Sequence, residues 1–499
     1  MPDAGAAFFP TFTDYQTYAL SHMLYALKNS FFENLPASLF TAQPPIPVAK
    51  PEMVIFNGEL AKELGVEETF ADESKAAVIL AGNELMEGSR PISQAYAGHQ
   101  FGHFNRLGDG RAVLLGEIQT DEGLYDLQLK GSGQTPYSRR GDGRATLYSM
   151  LREYLMSEAM HALGISTTRS LSVVKTGEDV YREHIHDGGI LSRVATSHIR
   201  VGTFEFARYL GGEKDSEQLL EYTIKRHYPS LVSEDNLALA LLHRVMQQQS
   251  ELINHWLRVG FIHGVMNTDN VSIAGETIDY GPCAFMNVYH PQTVFSSIDR
   301  NGRYAFANQP NIAFWNLKIF ANALLPLIGE DEKLAVTKAE EVLGKFPQQF
   351  SKSYLKMMTD KLGIQNHMQE DASLVEDCLR LLQKHTIDYT NFFTELRKNG
   401  SLIQELREDA DFNAWHIQWE KARVRLSNLE ESEALMIATN PVVIPRNHLV
   451  EEALEAAVNG DMNPFHDLLK TLVDPYNETR TPQELPVGVD EGYQTFCGT

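Results

Sequence analysis

The run His263-Gly264-Val265-Met266-Asn267-Thr268-Asp269-Asn270, with Asp279-Tyr280-Gly281 a short way downstream, is the most informative stretch of this sequence. Hairpin signals lie between the two: Val271–Ile273, a turn at Ala274-Gly275, then Thr277-Ile278. Asn270 and Asp279 therefore flank a predicted strand pair. Both carry hard oxygens, which suit Mg²⁺ or Mn²⁺, with phosphate oxygens and water completing an octahedron. The plain alternative is two polar turn residues around a hairpin. Upstream, Leu237–Val259 reads as a long periodic helix stopped by Gly260. Downstream, residues 311–470 read as mostly amphipathic helix.

Further towards the N-terminus the pattern changes to short strands punctuated by glycine. Gly108-Asp109-Gly110-Arg111 precedes an apolar run, Ala112–Gly116, and a turn at Asp121–Gly123 leads to Tyr125–Leu129, which ends at Lys130. Gly131-Ser132-Gly133 and Gly141-Asp142-Gly143 follow. A helix over Thr146–Leu163, stopped by Gly164, carries Glu153, and two short strands are predicted near Ser170–Val174 and Val180–Glu183. The class is α+β, a β-rich part containing one helix and then an α-rich part. That order is a bilobal protein-kinase-like layout. It divides the chain into an N-terminal extension (1–95, punctuated by Pro44, Pro45, Pro47 and Pro51), a β-rich lobe (96–188), an α-rich lobe (189–340) and a helical C-terminal extension (341–499).

The motifs can be weighed against that layout. A lysine at a strand end, with a carboxylate on the next helix to steady it, is how kinases hold nucleotide phosphates. Lys130 and Glu153 fit; a surface lysine is the bland reading. Gly108 and Gly110 would let backbone N–H groups approach phosphate, and Arg111 could bind it bidentately. Gly143 is similar, and Asp142 is equally a loop or capping residue. In kinases a His-Arg-Asp…Asn loop ends in a metal-binding Asn, and the Asp of Asp-Phe-Gly binds metal one hairpin later. Asn270 and Asp279 fall at that spacing. However, alignment on His263 and Asn270 places the kinase base at Val265, which cannot take a proton. Either the chain binds a nucleotide without catalysis, or it holds the nucleotide differently and Asp269 does the acid–base work. Arg193 and Arg200 lie where an adenine pocket would be, yet they suit a terminal phosphate better than a purine. Surface ion pairs are their bland reading.

Composition excludes other classes. With 43 basic and 66 acidic residues the formal charge is −23, so a nucleic-acid partner is not expected. The C-terminal residues 451–499 hold ten acids against Lys470 and Arg480 and read as a solvated acidic flank. Three cysteines cannot form a disulfide framework, and no CxxC pair exists. No secretory signal or apolar run of membrane-spanning length is read, which gives a cytoplasmic, membrane-free expectation. P-loop and GxSxG motifs are absent. His99 and His103 lack the Glu of a zinc-protease helix.

The runs Ala97-Gly98-His99-Gln100-Phe101-Gly102, Leu129-Lys130-Gly131-Ser132-Gly133-Gln134-Thr135-Pro136-Tyr137-Ser138-Arg139 and His263–Asn270 closely resemble the selenoprotein O (SelO/YdiU) family, most densely from about 90 to 310. The resemblance implies a kinase-like fold that binds ATP in a flipped orientation. It further implies transfer of AMP, or with Mn²⁺ of UMP from UTP, to Ser, Thr or Tyr hydroxyls of proteins. By resemblance Asp269 is the base, and Asn270 and Asp279 hold Mg²⁺ or Mn²⁺. Lys130, positioned by Glu153, contacts the nucleotide, as do Gly108, Gly110, Arg111, Asp142, Gly143 and Asp279, while Arg193 and Arg200 grip the γ-phosphate. Cys497 matches a C-terminal Cys or selenocysteine position, and a reversible disulfide with Cys283 is the pairing expected of it. The alternatives are a phosphotransferase and a nucleotide-binding scaffold without catalysis.

Overall fold

A computed structural model describes residues 25–212, 214–480, 483 and 492–496. Sheet dominates its N-terminal part and helix its C-terminal part. The strands of the N-terminal part are β1 (Phe40–Ala42), β2 (Glu52–Phe56), β3 (Ile92–Gln94), β4 (Ala97–Gln100), β5 (His103–Arg106), β6 (Ala112–Thr120), β7 (Gly123–Lys130), β8 (Ala145–Thr146), β9 (Arg169–Tyr181) and β10 (Ile185–Ala195). The main sheet runs β1-β3-β6-β7-β10-β9-β2, with β8 paired to β10, and β4 and β5 form a separate hairpin. Strands from residues 40–94 thus belong to the same sheet as β6–β10, and β10 runs through position 188 to Ala195. The two short strands predicted at 170–183 are one long strand, β9, pivoting at Gly177.

Period two explains what the sheet does. In β7, Leu127 and Leu129 face one apolar cluster, which Leu60, Leu64, Phe70, Ile79 and Leu80 of the N-terminal helices complete. Asp126, Gln128 and Lys130 alternate with them and point to the other side. Along β10, Ile190 and Val194 share the face of Leu127, while Leu191 packs with Leu151 and Leu155 of the Leu147–Ala162 helix. The helices Asn447–Val458 and Asn463–Leu472 cover that helix through Val450, Leu454 and Phe465. Residues 451–472 of the acidic C-terminal stretch are therefore docked along one apolar face rather than wholly solvated. Helices at Leu237–Val259, Gln309–Ile328 and beyond form the largest core. By length and composition Phe306–Ile328 could cross a membrane, but half of it is buried in the protein.

Helix ends match the sequence closely. Thr146 caps the Leu147–Ala162 helix by accepting from Ser149 N–H, and Gly260, at φ 77°, ends Leu237–Val259. The predicted hairpin at 271–278 does not form. Ser272 bridges Arg200 instead, and Thr277 bridges Thr167. Both segments find backbone partners on neighbouring chain segments, so neither needs the other.

A buried ionic brace joins the sheet to the helical part. Arg226, from the helix Asp215–His227, donates to Asp126 Oδ1 (2.6 Å) and Glu117 Oε1 (3.3 Å). Glu117 also accepts from the Ser30 and Phe31 N–H groups at 2.6 and 2.9 Å. The His198 ring lies 2.8 Å from Asp126 Oδ2. Burial opposes charge on Asp126, yet Arg226 and His198 hold its carboxyl down at about 2. Replacing Arg226 by Ala would strand two buried carboxylates. The variant should lose about 3–5 kcal/mol of unfolding free energy in urea, and an unchanged midpoint would contradict the brace.

Candidate functional site

Three elements deliver cations to one point. Lys130 ends β7, Arg193 sits two residues before the end of β10, and Arg200 is the N-cap of the helix Val201–Tyr209. Asp279 receives all three: Lys130 Nζ at 2.6 Å and Arg193 Nη1 at 2.6 Å on Oδ1, and Arg200 Nη1 at 3.5 Å on Oδ2. Glu153 is the second anion, 2.6 Å from Lys130 and 3.3 Å from Arg193. Burial would raise the Asp279 carboxyl, but Lys130, Arg193 and Arg200 overcome it and hold it well below the usual carboxylate range.

Asp269 joins the cluster through Arg200, whose Nη1 donates to its backbone oxygen at 2.9 Å. Its carboxyl is buried, and burial, opposed by Arg200, pushes it up to about 6. Its Oδ1 has no hydrogen-bond partner among the described residues, nor does Arg200 Nη2. Gly98 makes room here, because a Cβ on it would stand 2.6 Å from that Oδ1. The oxygen is held against bare backbone in an ionisable state, as a proton acceptor would need to be. Val265, by contrast, is a buried apolar side chain.

The remaining sequence-predicted residues divide. Gly108 and Gly110 belong to the cluster through the residue between them. Asp109 is buried, accepts from the Gln94 N–H (3.2 Å) and Gln128 Nε2 (3.1 Å), and lies 4.0 Å from Arg200. Burial against Arg200 and Arg193 leaves its carboxyl at about 6. The Arg111 carbonyl accepts from Gly131 N–H (2.7 Å), which ties the turn to the end of β7. Asp142 does not join the cations. It is exposed and paired with Arg182 at 2.8 Å. Gly143 serves a crossing of two loops, since a Cβ on it would meet the Gly133 carbonyl at 2.2 Å.

Sequence reading missed Asp109, Gln128 and Tyr96. Gln128 accepts from Arg193 Nη2 (2.6 Å), and Arg200 lies over the Tyr96 ring at 4.4 Å. Gln128 could have been found, because it shares Lys130's side of β7 by alternation. Tyr96 carries no comparable signal.

The donor set suits a hard divalent cation. The Asn270 Nδ2 donates to the Val265 carbonyl (2.9 Å), while no hydrogen bond among the described residues engages its Oδ1. The ionised Asp279 carboxylate is an oxygen donor of the same hard class, here engaged by Lys130, Arg193 and Arg200. Cys497 lies outside the described residues. Its expected partner, Cys283, is a fully buried free thiol that burial pushes up to about 11. Nearby, Thr495 Oγ1 donates to the carbonyl of Pro282, the residue before that cysteine, at 2.7 Å.

Residues 23–473 match the family model described as protein adenylyltransferase SelO. The chain belongs to that family. It is 51% identical over 475 residues to the protein nucleotidyltransferase YdiU of Halalkalibacterium halodurans, covering 94% of this chain and 96% of that one. The corresponding figures are 52% over 476 residues for the Brevibacillus brevis protein of the same name (94% and 96%), and 50% over 473 for that of Pelagibacter ubique (94% and 98%). As a member of the SelO family the chain is an enzyme, a protein nucleotidyltransferase.

Asp279 stands at φ 62°, a region that Asn tolerates nearly as well as Asp does. Asp279→Asn therefore removes charge without adding backbone strain. It should cost about 3–5 kcal/mol of unfolding free energy in the absence of nucleotide, because three buried cations lose their shared anion. A ligand-free variant as stable as the parent would refute this account.

Proposed function

We propose that this enzyme transfers AMP from ATP, or UMP from UTP, to Ser, Thr or Tyr hydroxyls of proteins on a bilobal kinase-like framework. The nucleotide lies reversed, with its γ-phosphate towards Arg193 and Arg200. The observation that carries the reading is the cation cluster beside Asp269. Two buried arginines converge with Lys130 on Asp279, and Arg200 also holds the backbone of Asp269, whose Oδ1 has no hydrogen-bond partner among the described residues; such a cluster suits a terminal phosphate better than a purine.

In this reading Asp269 accepts the proton of the acceptor hydroxyl. The hydroxyl oxygen bonds to the α-phosphorus, the bond from that phosphorus to the oxygen bridging to the β-phosphate breaks, and pyrophosphate leaves with the bond's electrons. Lys130, held by Glu153, stabilises charge on the phosphates, as positioned cations do in other phosphate-transfer sites. Gly108, Gly110 and Arg111 contact the phosphates, and Asp142, paired with Arg182 away from the cations, and Gly143 contact the nucleotide outside that cluster. Asn270 and Asp279 would hold Mg²⁺ or Mn²⁺, which neutralises phosphate charge when bound. Reversal explains how a chain with Val265 at the kinase base position still has a base, because the reacting phosphorus is then the α one. A cytoplasmic location accords with the free Cys283 and Cys378 thiols.

Incubation with ATP labelled at either the α or the γ phosphorus tests the reading. Label retained on protein only from the α position supports it. Label only from γ would indicate a kinase, and none from either a nucleotide-binding scaffold.

The raised Asp269 carboxyl sets the pH dependence. It is protonated, and so unable to act as base, below about 6. The rate of α-label transfer should rise with pH through about 6 and level off above 7. A rate that stays flat from pH 5 to 8 would remove Asp269 from the base role.

A further inference from the structure

A cleft of about 610 Å³ opens beside the Asp269 loop, between the tip of the β4–β5 hairpin and residues 298–303. Phe101 and His103 line one side, and Ile298, Arg300, Asn301 and Arg303 the other. None of these belongs to the cation cluster.

Three hydrogen bonds fasten the cleft to the Asp269 loop. The Phe101 N–H donates to Asn267 Oδ1 (3.0 Å), and the Tyr304 hydroxyl donates to the same oxygen (2.6 Å). The His99 N–H donates to Thr268 Oγ1 (2.7 Å). Asn267 and Thr268 immediately precede Asp269, so the hairpin, the 298–304 segment and the carboxylate are held in one register.

The charge of the cleft runs against that of the molecule. The chain carries −23 overall, yet the lining presents Arg300 and Arg303. The lining's one carboxylate, Asp299, is already engaged by its own loop: it accepts from the N–H groups of Arg303 (2.8 Å) and Tyr304 (2.7 Å). Between the cations lie exposed apolar side chains, Phe101 and Ile298.

The hairpin tip is strained. Its two turn residues, Phe101 and Gly102, stand at φ 51° and 89°. Gly is at ease there, but a bulky aromatic is not, and Asn would be favoured. Such strain persists where the surroundings impose it, and it gathers at binding sites. Here it places an aromatic ring in the cleft lining, edge-on to the Tyr304 ring at 5.3 Å.

We propose that this cleft receives the acceptor protein as an extended acidic segment, its hydroxyl-bearing residue directed to Asp269. This rests on the nucleotidyl-transfer reading above. Arg300 and Arg303 meet the carboxylates of the segment, and Phe101 and Ile298 cover an apolar residue close to the hydroxyl.

Two fluorescent peptides, each with one Ser and one Tyr, flanked in one by Glu and in the other by Lys, supply the test by anisotropy against the full chain. The acidic peptide should bind at least ~10-fold more tightly, and Arg300→Glu should abolish the difference. With α-labelled ATP, Arg300→Glu should raise the acceptor KM about tenfold, the effect falling on KM rather than kcat. Phe101→Asn should raise the melting temperature while weakening the acidic peptide. Equal binding of both peptides by the parent chain, or an unmoved KM in Arg300→Glu, would overturn the proposal. Charge-dependent binding with no α-label transferred by any form would strike the transfer reading and leave the acidic-peptide cleft supported.

Discussion

One carboxylate neutralising three buried cations is the constraint on which the rest of this structure depends. Removing a single ammonium or guanidinium from water costs several kcal/mol, and the attraction of an opposite charge repays it only at hydrogen-bonding distance. Lys130, Arg193 and Arg200 are each almost fully buried, and Asp279 touches all of them. Two come from the sheet and one from the start of a helix. Asp279 therefore cross-links the β-rich and α-rich parts, in addition to neutralising a site. Glu153 adds a second anion from the Leu147–Ala162 helix, so that helix is fixed by the same charges.

Holding a carboxylate in that position needs a rigid loop, and the chain supplies it from several directions. The His263 ring lies 2.9 Å from the Ile278 carbonyl, and the Tyr280 hydroxyl bonds to Thr167. Trp256 Nε1 donates to Thr277 Oγ1 at 2.9 Å. The failed hairpin at 271–278 makes sense in this light. A hairpin would satisfy its own backbone and stand apart. The observed loop spends those groups on Arg200, Thr167 and Ser166, which anchors Asp279 to both parts of the molecule. The C-terminal extension reaches the site indirectly. Arg152, next to Glu153, donates to the Cys283 carbonyl (2.8 Å) and to Glu451 (3.0 Å), and Tyr493 donates to the same Glu451 oxygen at 2.8 Å.

Much of this was legible in the sequence, and the reasons are specific. The Lys130–Glu153 pair could be read because a strand end followed by a capped amphipathic helix leaves few other places for the carboxylate. The helix ending at Gly260 could be read because only a glycine meets its φ of 77° without strain. Asp142 looked like Asp109, each an acid between two glycines. Only the three-dimensional path shows that one faces Arg200 and the other Arg182. The sheet strands within residues 40–56 escaped because three- and five-residue strands hold too few alternations to establish a period, and Tyr96 escaped because it lies in the link between β3 and β4, where no period applies.

The charge balance of the site then constrains what it can bind. Lys130, Arg193 and Arg200 supply three positive charges. Asp279 and Glu153 answer two of them, and Asp109 and Asp269, both near 6, add up to two more negative charges as pH rises through about 6. A triphosphate entering this environment would meet a cluster close to neutral, with its cations already committed. Binding therefore has to release something. Either Asp279 turns from the cations to a divalent ion, freeing Lys130 and the arginines for phosphate, or protons are taken up on Asp109 and Asp269. The first route keeps Asp269 ionised and able to accept a proton, whereas the second disables it. The metal route frees the cations with Asp269 still ionised, whether or not Asp109 takes up a proton, which gives the proposed cation at Asn270 and Asp279 an electrostatic reason independent of its role at the phosphorus.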